Sequence, residues 1–123
     1  MAAAAKEEKQ MSERPHGAKI RAIIKRTDER YGHVTNISCT LKNLQNIVGG
    51  PIETVSVAGG AICIFNEEGK LRGLARNFQL GNWPYADIIV GDAVIVGADG
   101  EEFGDCPLDF QTWKKLLGDW GNM

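Results

Sequence analysis

Glycine is the strongest constraint on what this chain can fold into. Fifteen of its 123 residues are glycine, about twice the usual share of ~7%. Glycine supplies the positive φ angles of tight turns, so a short chain this rich in it favours short strands joined by turns over a helical bundle. A mass of 13.4 kDa leaves room for one compact domain. With 43% hydrophobic and 24% charged residues, the chain has an ordinary globular composition, which excludes global disorder.

Residues 1–17 combine alanine, charge and the breaker Arg14-Pro15-His16-Gly17 with no periodic apolar face. They are expected to form a flexible N-terminal extension, and residues 18–123 a single domain. Ile20, Ala22 and Ile24 alternate with Lys19 and Arg21, predicting a half-buried strand in which Ile23 is out of phase. A weaker strand follows over His33–Ser38. The period then changes: Thr40 can cap a helix whose Leu41, Leu44, Ile47 and Val48 share one face, and Gly49-Gly50-Pro51 stops it. Two β-rich runs, Ile52 to Val57 and Ala61 to Phe65, flank Gly59-Gly60 as a hairpin would. A short strand is expected through Leu71 and Leu74, and irregular chain from Asn77 to Ala86. Next comes an apolar region, Ile88 to Val96, interrupted by a turn or bulge at Gly91, and then a turn at Ala98-Asp99-Gly100-Glu101. Asp109 can cap a last helix carrying Trp113, Leu116, Leu117 and Trp120 on one stripe. The expected fold is α+β: a small antiparallel or mixed sheet packed by one short helix, with a C-terminal helix.

Fourteen basic and sixteen acidic residues give a net charge of -2. That balance argues against a generally basic nucleic-acid binder and is too weak for a mimic of duplex DNA. The charge is uneven, +3 over residues 1–30 and -5 over residues 31–123, which fits a solvated leader on an acidic domain. Cys39, Cys63 and Cys106 lack the spacing of a metal or redox motif, so inert reduced thiols are expected. No segment approaches the ~18 apolar residues of a membrane span, and a soluble cytoplasmic protein is the expectation. Templates for nucleophilic, zinc-dependent and nucleotide-phosphate chemistry are absent. His16 and His33 read as solvent-facing polar side chains, and Asp87 and Asp92 as turn formers before catalytic acids. No cofactor is implied, and catalysis is not the favoured reading.

One stretch stands apart. From Gly69 to Ala86 there are three basic residues (Lys70, Arg72 and Arg76), no acid, and the aromatics Phe78, Trp83 and Tyr85, with Asn77 and Asn82 supplying amides. Guanidinium and ammonium groups suit phosphates, and aromatic faces and amides suit nucleobases. Lys70, Arg72, Arg76, Asn77, Trp83 and Tyr85 are therefore the expected ligand-binding residues for a small nucleotide-like anion. The plain alternative is a solvated strand and loop whose aromatics cap the core.

Three runs occur in a telling order: Leu44-Gln45-Asn46-Ile47-Val48-Gly49-Gly50-Pro51-Ile52-Glu53, then Asn66-Glu67-Glu68-Gly69-Lys70-Leu71-Arg72-Gly73-Leu74 with Asn77, then Ile89-Val90-Gly91-Asp92-Ala93-Val94-Ile95-Val96-Gly97. Over about residues 18 to 100 the chain resembles domain-of-unknown-function family thirty-eight forty-six, small proteins encoded largely by phages, plasmids and other mobile elements. The residues before 18 and the terminal helix 107–120 fall outside the resemblance. Family members often place proline after the Gly-Leu pair, where this chain has Ala75. The resemblance implies an origin and a mode of action by binding. The leading expectation is a non-catalytic binder, an oligomeric sponge that sequesters a nucleotide-derived immune signal of the host. The second is an adaptor or inhibitor of a host protein that uses Trp113 and Trp120 as aromatic anchors, and a small enzyme comes third.

Residues 1–17 offer no apolar face to bury. A chain beginning at Ala18 will therefore melt within a few degrees of the full chain in a calorimetric scan; a large loss of stability would mean that the leader docks.

Overall fold

The computed structural model describes residues 17–122; apart from Gly17, the extension expected over residues 1–17 lies outside them. The chain runs β1 (Lys19–Lys25), β2 (His33–Ser38), α1 (Leu41–Val48), β3 (Ile52–Ser56), β4 (Ile62–Asn66), β5 (Arg76–Leu80), β6 (Asp87–Val90), β7 (Ala93–Asp99), β8 (Glu102–Gly104) and α2 (Phe110–Asp119). Every strand pairing is antiparallel. The main sheet has the order β2-β1-β7-β4-β3, with β8 paired to the end of β7, while β5 and β6 form a separate two-stranded ribbon. This is the expected α+β architecture.

Alternation along the strands divides the interior into two cores. Ile20, Ala22 and Ile24 of β1, Ile64 of β4, and Val94 and Val96 of β7 face α1, whose Leu44 and Val48 close that side. Ile23, Cys63, Ala93 and Ile95 point the other way, onto the ribbon residues Phe78, Leu80 and Ile89 and onto Trp113, Leu117 and Trp120 of the C-terminal segment. Ile23 is out of phase in the sequence because it belongs to the second core. The layers are thus α1, the main sheet, and the ribbon with α2.

The caps behave as read. The Thr40 hydroxyl accepts from the Asn43 N–H at 3.0 Å, and Gly49 ends α1 in the left-handed region with φ 85°. An L side chain there would be strained by roughly 1 kcal/mol or more. Asp109 caps α2 by accepting from the Thr112 N–H at 2.7 Å. Gly97 is required for a different reason: a Cβ there would strike the Asp105 carbonyl, where the β8–α2 connection crosses β7.

Three expectations need correction. No strand runs through Leu71 and Leu74; residues 67–73 form consecutive turns, with Gly73 at φ 69°. The segment from Asn77 is not irregular, because Arg76–Leu80 pairs with Asp87–Val90 and only residues 81–86 form the loop. The apolar region from Ile88 to Val96 is not one interrupted strand. Gly91, at φ 76°, passes the chain from the ribbon to the main sheet, so β6 and β7 lie in different layers. The turn at residues 98–101 also closes a β7–β8 hairpin that the sequence reading lacked.

Among the described residues no helix is long and apolar enough to cross a membrane. Trp113 is fully buried, stacks edge-to-face on Phe78 at 5.6 Å and on Trp120 at 6.2 Å, and donates its indole N–H to the Tyr31 carbonyl at 2.8 Å. Trp113→Ala will cost about 3–5 kcal/mol in chemical denaturation; a loss below about 1 kcal/mol would contradict this packing.

Candidate functional site

The acid-free stretch from Gly69 to Ala86 spans three places in the fold. Its first part is the turn after β4, where Lys70, Leu71 and Arg72 are exposed. α1 has no basic residue in its last turn, so its terminal carbonyls need outside donors. Arg72 donates to the Gly49 carbonyl at 2.9 Å and the buried Asn66 amide to the Val48 carbonyl at 3.2 Å. Arg72 therefore closes a helix end.

The second part is the base of the ribbon. Lys25, the last residue of β1, is only 3% exposed. Its ammonium donates to the Glu29 carbonyl at 2.8 Å and to the Asn77 side-chain oxygen at 2.7 Å, 5.7 Å from the centre of the Phe78 ring. The Asn77 amide donates back to the Lys25 carbonyl at 2.7 Å and on to the Gly91 carbonyl at 2.8 Å. Asn77 thus ties β1, β5 and the β6–β7 link together. Burial holds the Lys25 ammonium below the ordinary lysine value of 10.5; the Glu29 carboxylate opposes that shift and the Arg76 guanidinium adds to it. The sequence carried a signal for this: Arg21, Ile23 and Lys25 share one face of β1, and that face is a core.

The third part is the tip. Leu80 pairs with Asp87 and Arg76 with Val90, so the loop 81–86 closes the end of the ribbon remote from Arg76. Four residues of strand put roughly 13 Å between those ends. The loop turns on a cis Trp83–Pro84 peptide and a bond from the Tyr85 N–H to the Asn82 carbonyl. Trp83 is 85% exposed and Tyr85 90%. Of the six expected ligand residues, Arg76 and Asn77 thus share the base of the ribbon and Trp83 and Tyr85 share its tip. Lys70 and Arg72 share the turn, where Arg72 is spent on α1, as Asn77 is on Lys25.

A groove of about 240 Å³ runs along β6, between it and the β3–β4 hairpin. Phe65, Val55, Ile88 and Ile89 line it with apolar surface, and Glu53, Glu67, Asp87 and Lys70 give it charge. Sequence reasoning missed it, since it forms only when the ribbon packs on the sheet and brings Glu53 and Asp87 together from 34 residues apart.

The other candidates settle into structural roles. Burial pushes the Cys63 and Cys106 thiols up, away from reactive thiolate. Asp92 accepts from the Thr27 N–H at 3.0 Å and pairs with Arg26 at 3.5 Å, so it organises a turn. His33 pairs with Glu29 at 2.8 Å on the surface, and His16 lies outside the described residues. Among the described residues no group of His, Cys, Asp and Glu is placed to hold a metal ion. Trp113 and Trp120, the anchors expected of an adaptor, are both buried in the second core. The exposed tryptophan is Trp83.

The family model described as Domain of unknown function (DUF3846) matches residues 20–118. The match extends beyond the residues 18 to 100 that carried the resemblance and takes in most of α2. No curated protein and no solved structure matches the chain.

The Lys25–Asn77 pair generates a pH dependence. The folded-state ammonium loses its proton below 10.5, whereas the unfolded chain keeps it, so the unfolded state binds more protons in that window and stability rises with pH there. Lys25→Met will remove that alkaline gain, seen by comparing urea midpoints at about pH 8 and about pH 10. Asn77→Ala will cost about 1.5–3 kcal/mol, because it strips the ammonium of an acceptor and two carbonyls of a donor. A neutral outcome would refute the role given to Asn77.

Proposed function

The chain belongs to the DUF3846 family, and we propose that it is a non-catalytic binding protein whose contact surface is the tip of the β5–β6 ribbon and whose partner is another protein. One observation carries this reading: Trp83 and Tyr85 stand 85% and 90% exposed on a six-residue loop. Burying such a side chain is worth roughly 1.5–3 kcal/mol, and every other aromatic among the described residues is buried or half-buried. Tryptophan and tyrosine are the residues that most often anchor protein interfaces. Leu71, 92% exposed on the turn after β4, is a further apolar contact for a broad partner.

The spread of the basic residues supports a wide footprint over a small pocket. A small ligand is gripped by groups that converge around it, and Arg76 sits at the opposite end of the ribbon from the two rings. In a phage- or plasmid-encoded protein, such a surface suits an inhibitor or adaptor of a host protein. A nucleotide-derived signal is the competing ligand, and it would rely on Arg76 with the aromatic rings.

Photo-cross-linking from residue 85 in cells that naturally carry the protein, followed by mass spectrometry, tests the proposal. One discrete protein partner should be captured, and its affinity for the purified chain should fall at least tenfold in a Trp83→Ala, Tyr85→Ala double variant that melts like the parent. The proposal fails if the double variant binds that partner unchanged. It also fails if calorimetry against cyclic and linear nucleotides finds a ligand that Arg76→Ala abolishes.

A further inference from the structure

We propose that the groove beside β6 takes an extended, basic peptide segment as a third strand of the ribbon. This deepens the reading of the chain as a binding protein but uses a different surface from the aromatic tip. β6 pairs with β5 alone. Among the described residues no other backbone or side-chain group bonds to the main chain of residues 87–90. An antiparallel strand left so presents a row of N–H and C=O groups to whatever lies alongside it. Here it is the groove that lies alongside, open and about 240 Å³ in volume, with all four β6 residues in its wall.

The shape fits a strand. β6 offers four residues of edge, roughly 13 Å, and across the groove stands the β3–β4 hairpin. In its register Glu53 opposes Phe65 and Val55 opposes Cys63. Phe65 and Val55 pack against the second core and supply an apolar floor, which an incoming strand can cover with every second side chain.

Charge selects the occupant. Glu53, Glu67 and Asp87 line the groove against a single cation, Lys70. None of these three carboxylates takes part in an ion pair among the described residues. A phosphate-bearing ligand would meet net repulsion there, whereas lysine or arginine alternating with apolar residues would meet both the carboxylates and the floor. The carboxylates would otherwise serve only to keep copies of this chain from pairing along β6, and the test separates the two roles.

The probe is a fluorescein-labelled seven-residue peptide alternating lysine and valine, titrated by polarisation into the full chain. Its controls are a glutamate–valine peptide and two lysine–valine peptides N-methylated at alternate residues in opposite phases. The lysine peptide should bind at least tenfold more tightly than the glutamate peptide. N-methylation in at least one phase should weaken binding tenfold or more, as should Glu53→Lys with Glu67→Lys in a variant whose melting matches the parent. Trp83→Ala with Tyr85→Ala should leave peptide binding unchanged, so failure here and failure of the aromatic tip are read separately. Undiminished binding of both N-methylated peptides would show surface electrostatics alone and overturn the proposal. So would unchanged binding in the Glu53, Glu67 variant, or self-association of Glu53→Ala with Glu67→Ala without peptide binding.

Discussion

Strand β7 is buried on both faces, and the rest of the architecture answers that constraint. Five successive residues, Ala93 to Gly97, are shielded from solvent, which one layer of covering structure cannot achieve for a strand whose side chains alternate sides. Val94 and Val96 require α1, and Ala93 and Ile95 require the ribbon and α2. The neighbours of β7 share the demand: β1 sends Ile23 to one core and Ile24 to the other, and β4 does the same with Cys63 and Ile64. A two-layer fold would leave one of these sets in water.

The second layer is the costlier one to build, because a two-stranded ribbon is marginal alone. Phe78, Leu80 and Ile89 pack it onto the second core, and polar contacts fix its placement. Lys25 and Asn77 exchange bonds at its base, while the Asn122 side chain accepts from the Gln79 N–H at 2.7 Å and donates to the Gln79 carbonyl at 2.9 Å where the C-terminal segment meets β5. Burying an ammonium is unfavourable unless it is well partnered. This one is held by two oxygens and an aromatic face, and the mutual bonds fix β5 against β1. Directional bonds at the base and at the α2 end leave the tip as the free part of the ribbon.

Much of the fold was legible because it rests on local signals. Thr40, Gly49-Gly50-Pro51 and Asp109 bracket the helices as their chemistry predicts, and the β3–β4 hairpin follows from Gly59-Gly60. The errors fell where tertiary context overrode composition. Asn77 and Gln79 look like loop residues, yet in β5 the Asn77 amide bonds to β1 and the Gln79 amide to the Trp120 carbonyl beyond α2, while Phe78 and Leu80 fill the core. Leu71 and Leu74 look like strand residues, yet consecutive turns ending at Gly73 curl the segment so that Arg72 reaches the end of α1. The candidate site was legible only as a list of residues. Their distribution depends on the β5–β6 register, and the groove on two hairpins meeting, and neither is a property of one stretch of sequence.

The same register gives the ribbon a polarity that bears on function. The base holds the buried Lys25 and the exposed Arg76, the tip holds uncharged aromatics, and the edge between them looks onto carboxylates. Exposed charge at a rim steers and orients a partner more than it tightens the contact, whereas aromatic burial supplies the tightness. The base is locked to the main sheet, so in the proposed role the ordering cost of binding would fall on the six-residue loop, and a rigid support of that kind favours a few exposed side chains as an anchor. In the proposed binding role the arrangement asks one thing of the chain, a surface held still.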